Sequence, residues 1–417
     1  RQRNAHRASP AALRASENRH HHALCDGETA ECEAGTQKIH WLGWFEMEYT
    51  LRSLGSFSEM KYGKMPNKKM SSDKGKYPIF SGYRVVGYCD ECNIGEQQLV
   101  VIARGVGGTG DVKLSPGACF LTNLSIAVLV DESVALKKYL YYYFLKNNLR
   151  YLDSGSAQSQ ITIGDLKNVE VPLPSIETQK KVVSILGVID EKINNNVAIN
   201  DNLEQQAHSY FQELFVDNAS PEWTTGTISD LGTVVGGSTP SKAKPEYYTE
   251  SGIAWITPKD LSINKSKFVS HGENDITELG LKNSSAAIMP EGTVLFSSRA
   301  PIGYIAIAAG EVTTNQGFKS VVPKPEIGTP FVYFFLKNTL PVIEGMASGS
   351  TFKEVSGSTM KNVPAVIPDA ETLAKFSDFC APIFAQQRIL EEQNQSLATL
   401  RDNLLPKLMS GEIDVST

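Results

Sequence analysis

PSIETQKKVVSILGVIDEKINNNVAINDNLEQQAHSYFQELF, residues 174–215, carries Val182, Leu186, Ile189, Ile193, Asn196, Asn200, Leu203, Ala207, Tyr210 and Leu214 at alternating spacings of four and three. This is a heptad seam sustained over about five heptads, with polar and charged residues on the other faces. At about 1.5 Å per residue the helix would span on the order of 60 Å, too long for one ordinary globular domain. Pro172 and Pro174 punctuate the approach to its start. A lone helix cannot bury such a seam, so a second one is required.

Working outward, the chain repeats itself. SGSAQSQITIGDLKNVEVPLP at 154 aligns with SGSTFKEVSGSTMKNVPAVIP at 348, a constant offset of 194. YFLKN at 143 matches FFLKN at 334, RGVGGTG at 104 matches RAPIGYI at 299, and TLRSLG at 50 matches TISDLG at 227. The changing offsets imply small insertions within one shared fold. Short β-rich runs such as YPIFSGYRVVGYC, QLVVIARGVGGTGDV and LSIAVLV, separated by Gly, Asn and Asp, make the blocks mixed α/β. The aromatic run Tyr139, Tyr141, Tyr142, Tyr143 and Phe144 reads as core packing rather than base stacking.

The offset of 194 also supplies the partner helix. It carries the seam onto Phe376, Cys380, Ile383, Gln387, Leu390, Asn394, Leu397, Arg401, Leu404 and Leu408, a poorer stripe in which Pro382 predicts a kink or restart. Two copies of one unit pack most economically about a pseudo-twofold axis, which predicts an antiparallel coiled coil with the globular blocks at opposite ends. Leu186, Ile189, Ile193, Asn196, Asn200 and Leu203 would then pair with Ile383, Leu390, Asn394, Leu397 and Leu404. Asn200 falls on Asn394, and buried Asn near the crossing would fix register at some cost in stability. The alternative is that these are surface polar positions. The domain plan is an extension over 1–46, blocks at 47–173 and 220–367, a spacer helix at 174–219 and a closing helix and tail at 368–417.

The 417 residues carry a net charge of −6. Residues 50–174 hold 15 Lys/Arg against 11 Asp/Glu, and 220–366 hold 12 against 13. Residues 175–219 hold 3 against 7, and 367–417 hold 4 against 8. The acidity therefore sits on the helical segments, and the near-neutral or basic blocks permit nucleic-acid binding. The absence of a long apolar run or signal-like start predicts a cytoplasmic chain with no membrane partner. Six sparse cysteines argue against a disulfide framework. Cys89 and Cys92 form a lone CxxC, and His20, His21, His22, Cys25 and Cys32 match no standard zinc spacing, so no metal site is expected. Met47 reads as a natural start.

The block–helix–block–helix chain resembles the specificity subunit of a type I restriction–modification enzyme. PLPSIETQKKVVSILGVIDEKI at 172–193 is similar to that family's central helix, and NLLPKLMSGEI at 403–413 to its C-terminal end. SSRAPIGYIAIA at 297–308 and the paired SGS-to-KNV segments resemble elements of its target recognition domains. The resemblance runs from about Met47 onward. It implies that each block reads half of a split, asymmetric double-stranded DNA target while the spacer sets the gap. It also implies docking of modification subunits, which carry S-adenosylmethionine and methylate adenine, and of restriction subunits that use ATP and Mg. No cofactor is expected on this chain. Consistently, the sequence has no GxxxxGK[ST], no Asn/Asp-Pro-Pro-aromatic motif and no GxGxxG after a strand.

Readout needs loop side chains that reach base edges and cationic or small polar groups on phosphates. In the first block the candidates are Lys64, Lys68 and Lys69 toward the backbone, and Tyr83, Arg84 and Arg104 toward the groove. Ser154, Ser156, Gln158 and Gln160 offer hydrogen bonds. The second block offers Lys242, Lys244, Lys259, Arg299, Ser348, Ser350 and Lys353. Each could instead be a solvated surface residue, and Arg104 and Arg299 could be structural salt-bridge partners. Two other functions stay open: a helical scaffold that assembles subunits without reading DNA, and an enzyme in its own right.

Overall fold

The computed structural model describes residues 48–67, 75–105, 108–153, 160–349 and 353–415. The predicted N-terminal extension with its His and Cys residues therefore lies outside the described residues. The chain divides into two compact units. One runs to Lys181 and resumes at Met409; the other is Val182–Leu408.

In the first unit, β1 (Thr50–Ser53) and β2 (Ser58–Tyr62) precede β3 (Tyr77–Phe80), β4 (Val85–Cys89), β5 (Leu99–Ile102), β6 (Val112–Leu114), β7 (Phe120–Leu121) and β8 (Ser125–Val130). An antiparallel sheet runs β2-β8-β5-β6, and a smaller one runs β4-β3-β7 with β3 and β7 parallel. β5 reads Leu-Val-Val-Ile and is buried at every residue, so its apolar run does not alternate. Helix α1 (Lys137–Lys146) buries Tyr139, Tyr142 and Phe144 and leaves Tyr141 and Tyr143 half-buried, so most of the tyrosine run packs into the core.

Next come α2 (Ile163–Lys167), β9 (Glu170–Leu173) and the long α3 (Ile176–Gln212). Thr162 and Asp165 form a capping box on α2, and Ser175 Oγ accepts the Thr178 N–H at 3.1 Å at the head of α3. Fully buried Gln179 ties that first turn to the loop before α1. Its Oε1 accepts the Leu136 N–H at 2.9 Å, and its Nε2 donates to the Val134 and Pro174 carbonyls.

The second unit repeats the order with additions. β10 (Thr224–Thr227), α4 (Ile228–Leu231), β11 (Gly232–Gly236), β12 (Tyr248–Thr249), β13 (Ile253–Ile256), α5 (Pro258–Ile263), β14 (Phe268–Val269) and β15 (Asn274–Ile276) come first. They are followed by α6 (Glu278–Lys282), β16 (Val294–Ser298), β17 (Ile302–Ala308), β18 (Thr313–Thr314) and β19 (Lys319–Pro323). Then come α7 (Thr329–Met346), α8 (Gly357–Lys361), β20 (Pro364–Ile367) and α9 (Ala370–Ser410). The sheets run β11-β19-β16-β17-β14 and β12-β15-β13-β18.

The duplication holds at the level of individual pairings. β1 lies antiparallel to β9 with Thr50 opposite Leu173, and β10 to β20 with Thr224 opposite Ile367. The second halves of these ladders keep the offset of 194 (367 against 173), but the first halves differ by 174 (224 against 50). The match of TLRSLG with TISDLG, which implies 177, is therefore three residues out of register. The shared Leu-Gly plays different parts: Leu54-Gly55 opens a 3-10 turn, whereas Leu231 ends α4 and Gly232 begins β11.

Within the second unit, contacts between α3 and α9 run in opposite directions along the two chains. Asp190 meets Arg401, Asn196 meets Asn394, Asn200 meets Gln387, and Tyr210 meets Phe379. The ten positions of each seam, Leu214 lying in the turn just past α3, are buried or half-buried. Asn196 Nδ2 donates to Asn394 Oδ1 at 2.9 Å, so the side-chain amide partner of Asn394 is Asn196, while Asn200 turns to the Gln387 backbone. The predicted restart at Pro382 does not occur, because α9 is continuous through it. The carbonyl that Pro382 leaves unpaired belongs to exposed Asp378, where water can satisfy it. Asp369 heads α9 as Ser175 heads α3, accepting the Thr372 N–H at 2.9 Å.

A lysine from the second block seals this unit. Lys267, just before β14, is buried with its Nζ 3.5 Å from the Phe384 ring centroid and 4.5 Å from that of Tyr333. It donates to Glu204 Oε2 of α3 at 2.8 Å and to Gln387 Oε1 of α9 at 2.9 Å. Burial brings the Lys267 ammonium down to about 8, with Glu204 opposing the fall. Burial would raise the Glu204 carboxyl, but Lys267 and Lys337 override it and hold it at about 2. The backbone N–H groups of Lys267 and Phe268 donate to Glu391 of α9 at 2.7 and 3.0 Å.

Candidate nucleic-acid interface

In the second unit three loops meet where β13 and β18 end side by side. Asn315 N–H donates to the Ile256 carbonyl at 3.0 Å, and Ser238 N–H to the Thr314 carbonyl at 2.9 Å. A Cβ on Gly237 would lie 2.0 Å from Asn315 O, so only glycine lets the first loop approach. The loops enclose a cleft of about 590 Å³ lined by Lys242, Lys259, Asn274, Asn315 and Gln316 over Tyr248 and Trp255. Tyr248 Oη donates to the Pro240 carbonyl at 2.6 Å and Trp255 Nε1 to the Ser238 carbonyl at 3.0 Å, which fixes the aromatic floor. The walls carry amide and ammonium groups, the side chains that hydrogen-bond base edges and phosphates, together with the Asp260 and Glu273 carboxylates.

The first unit builds the same junction. Thr122 N–H donates to the Phe80 carbonyl at 3.0 Å, and Lys64 N–H to the Leu121 carbonyl at 2.9 Å. A Cβ on Gly63 would lie 2.0 Å from Thr122 O, the same approach as at Gly237. Tyr83 leans over the next loop, where a Cβ on Gly105 would come within 2.6 Å of its Oη. Burial raises the Tyr83 hydroxyl, and Asp111 adds to the effect. The buried hydroxyls of Thr122 and Thr314, one at each junction, have no hydrogen-bond partner among the described residues.

The sequence candidates distribute as follows. Lys64, Tyr83 and Arg84 are exposed at the first junction, and Lys242 and Lys259 line the second cleft. Lys259 is already paired with Glu273 at 2.5 Å, and Lys244 stacks on Tyr247 at 5.3 Å. Arg299 and Lys353 line a separate opening of about 730 Å³, where Arg299 lies 3.6 Å from Glu354. Ser348 exchanges backbone hydrogen bonds with Glu354. Arg104 and Gln160 face each other across a β-bridge, in the positions that Arg299 and Glu354 occupy in the repeat. Arg299 is thus engaged in the kind of structural pair its repeated position allowed. Lys68, Lys69, Ser154, Ser156, Gln158 and Ser350 lie outside the described residues. Asn274, Asn315, Gln316 and Trp255 were missed. The pairings of β13 with β15 and β18 bring them together, and no spacing in the sequence signals it.

Among the described residues no group of three His, Cys, Asp or Glu is placed to hold a metal ion, and no helix is long and apolar enough to cross a membrane. Cys89 is buried and Cys92 exposed, both as free thiols.

The sequence matches the family described as type I restriction modification DNA specificity domain twice, over residues 46–205 and 221–400. The chain belongs to that family. Each match takes in one three-loop junction, and together they span both long helices for most of their length. The chain is 39% identical over 191 residues to the type I restriction enzyme MjaIX specificity subunit of Methanocaldococcus jannaschii, a match covering 44% of each chain. It is 23% identical over 364 residues to the HindI specificity subunit of Haemophilus influenzae, covering 68% of this chain and 79% of that one. Its fold is similar to the crystal structure of the type I restriction–modification S subunit from M. genitalium, with a TM-score of 0.55 at 21% identity. That likeness covers 87% of this chain and 96% of the other.

Proposed function

We propose that this chain is the DNA-specificity subunit of a type I restriction–modification system and recognises a bipartite, asymmetric double-stranded target. The observation that carries the reading is the duplication itself: two matches to one DNA-specificity family, each with the same loop junction but different side chains at its tips. Under this reading residues 47–173 and 220–367 are target recognition domains. Residues 174–219 and 368–417 supply α3 and α9, which pair as an antiparallel coiled-coil spacer. Holding two weak readers at a set separation raises their joint affinity through effective concentration.

The chain performs no chemistry in this scheme. Modification subunits supply S-adenosylmethionine and methyl transfer, restriction subunits supply ATP- and Mg-dependent cleavage, and the assembly works in the cytoplasm. Lys64, Lys68, Lys69, Lys242, Lys244, Lys259 and Lys353 serve phosphates, with Tyr83, Arg84 and Arg104 nearer the groove. Arg299, Ser154, Ser156, Gln158, Gln160, Ser348 and Ser350 support them.

The test is to remove one heptad from α3 and the facing heptad from α9, which shortens the spacer by about 10 Å. Selection from duplexes with variable gaps should then return the same half-sites at a different gap. An unchanged gap would overturn the spacer mechanism. A chain that selects no duplex at any salt concentration would favour a scaffold that assembles subunits without reading DNA.

A further inference from the structure

The two junctions share a backbone and differ at their tips. By the equivalent hydrogen bonds, Thr122-Asn123-Leu124 of the first matches Asn315-Gln316-Gly317 of the second, and Tyr83 matches Lys259. What is common serves the frame: Gly63 and Gly237, and the carbonyls they approach. What differs includes Asn123 against Gln316 and Tyr83 against Lys259, of which Tyr83, Lys259 and Gln316 are exposed and Asn123 is half-buried. A pair of readers for two different half-sites needs this division between a constant frame and variable contacts.

At its Asn315–Gln316 tip the second cleft presents hydrogen-bond donors. Asn315 Oδ1 accepts the Gly317 N–H at 2.8 Å, which turns that oxygen into the loop and leaves the amide NH2 as its donor. Gln316 Oε1 likewise accepts the Thr239 hydroxyl. Lys242 adds an ammonium donor beside the tip, whereas Lys259 is held by Glu273 and Asp260 lies behind it in the same lining. A tip of amide donors is complementary to acceptor atoms: O6 and N7 of guanine, N7 of adenine or O4 of thymine. It does not complement the N4 amino group of cytosine.

Resting on the specificity-subunit reading, we infer that Asn315 and Gln316 are base-reading residues of the second half-site and that they select a base presenting acceptors to the groove. Asn123 holds the matching position for the first half-site.

The experiment selects duplexes from a randomised bipartite library with the full-length chain and compares it with Asn315→Asp. That change keeps an oxygen for Gly317 N–H and replaces only the NH2 donor. The expected result is a loss of about 5- to 150-fold in discrimination at one base pair of one half-site, from the range for a good base contact. The preference should move toward a base that offers a donor, and the other half-site should be untouched. Gln316→Glu, at an exposed side chain, repeats the test without altering the turn, and Asn123→Asp should affect the opposite half-site alone. Unchanged preference in both Asn315→Asp and Gln316→Glu overturns the inference while leaving the specificity reading intact, as does a uniform loss across all sequences. If the unaltered chain selects no bipartite motif, both fail.

Discussion

Replacing Glu204 by Gln removes the carboxylate at the centre of the second unit and leaves Lys267 buried against three aromatic rings. The carboxyl is held at about 2 rather than its ordinary 4.5, which corresponds to roughly 3 kcal/mol of stabilisation by the charges around it. Removing one partner of a buried pair costs about 3–5 kcal/mol by precedent, so the two routes agree. Lys267 is displaced the opposite way, down to about 8, so burial has cost the ammonium much of what the carboxylate gains. The pair together is therefore worth little against an apolar replacement. Lys267→Met keeps a flexible chain on the Phe384 ring and leaves Glu204 its contacts with Lys337 and Tyr333 at 2.5 and 3.1 Å. It should cost about 1 kcal/mol or less. Urea unfolding of the four members of this cycle, followed through the transition of the second unit, measures the coupling. If Glu204→Gln costs under 1 kcal/mol, or adding Lys267→Met fails to recover stability, the account of Lys267 as a charge dependent on one carboxylate is wrong.

The same group predicts the acid limb. Because the folded carboxyl lies below the unfolded one, its contribution is complete above about pH 4.5 and is lost as pH falls through about 2; Glu204→Gln should flatten that part of the stability profile. Gly63→Ala and Gly237→Ala each force a Cβ to 2.0 Å from a backbone oxygen. Each should destabilise its own unit by more than about 2 kcal/mol, seen as one displaced urea transition. Asn196→Leu with Asn394→Leu removes a buried amide pair, including the Asn196 oxygen that has no partner among the described residues. It should raise stability by about 1–2 kcal/mol while loosening helix register, measured by thermal unfolding and by cross-linking across the pair.

Much of the fold was legible because local chemistry and long-range packing agreed. The seam spacing, the prolines at 172 and 174 and the repeat offset put α3 and α9 close to their observed starts, where Ser175 and Asp369 cap them. The repeat was legible where side chains serve the frame, as in the α2–β9 and α8–β20 segments. It slipped at TISDLG because matching letters took different parts in the turn. The Asn196–Asn394 pair was not readable from repeat equivalence, since opposed helices bring together positions that the offset does not equate. Lys267 was invisible for a different reason: a lysine between Ser266 and Phe268 looks like surface until α3 and α9 close over it. The cleft at Asn315 depends on the parallel pairing of short strands far apart in sequence, which no local pattern encodes.

The division of the chain also constrains its synthesis. Val182–Leu408 is one uninterrupted segment, whereas the first unit needs the stretch from Met409, whose carbonyl accepts the Tyr49 hydroxyl at 2.9 Å across 360 positions. On the ribosome the second unit is therefore the first to have all of its parts. The block translated earliest lacks the contacts made by the stretch from Met409 until that stretch is synthesised.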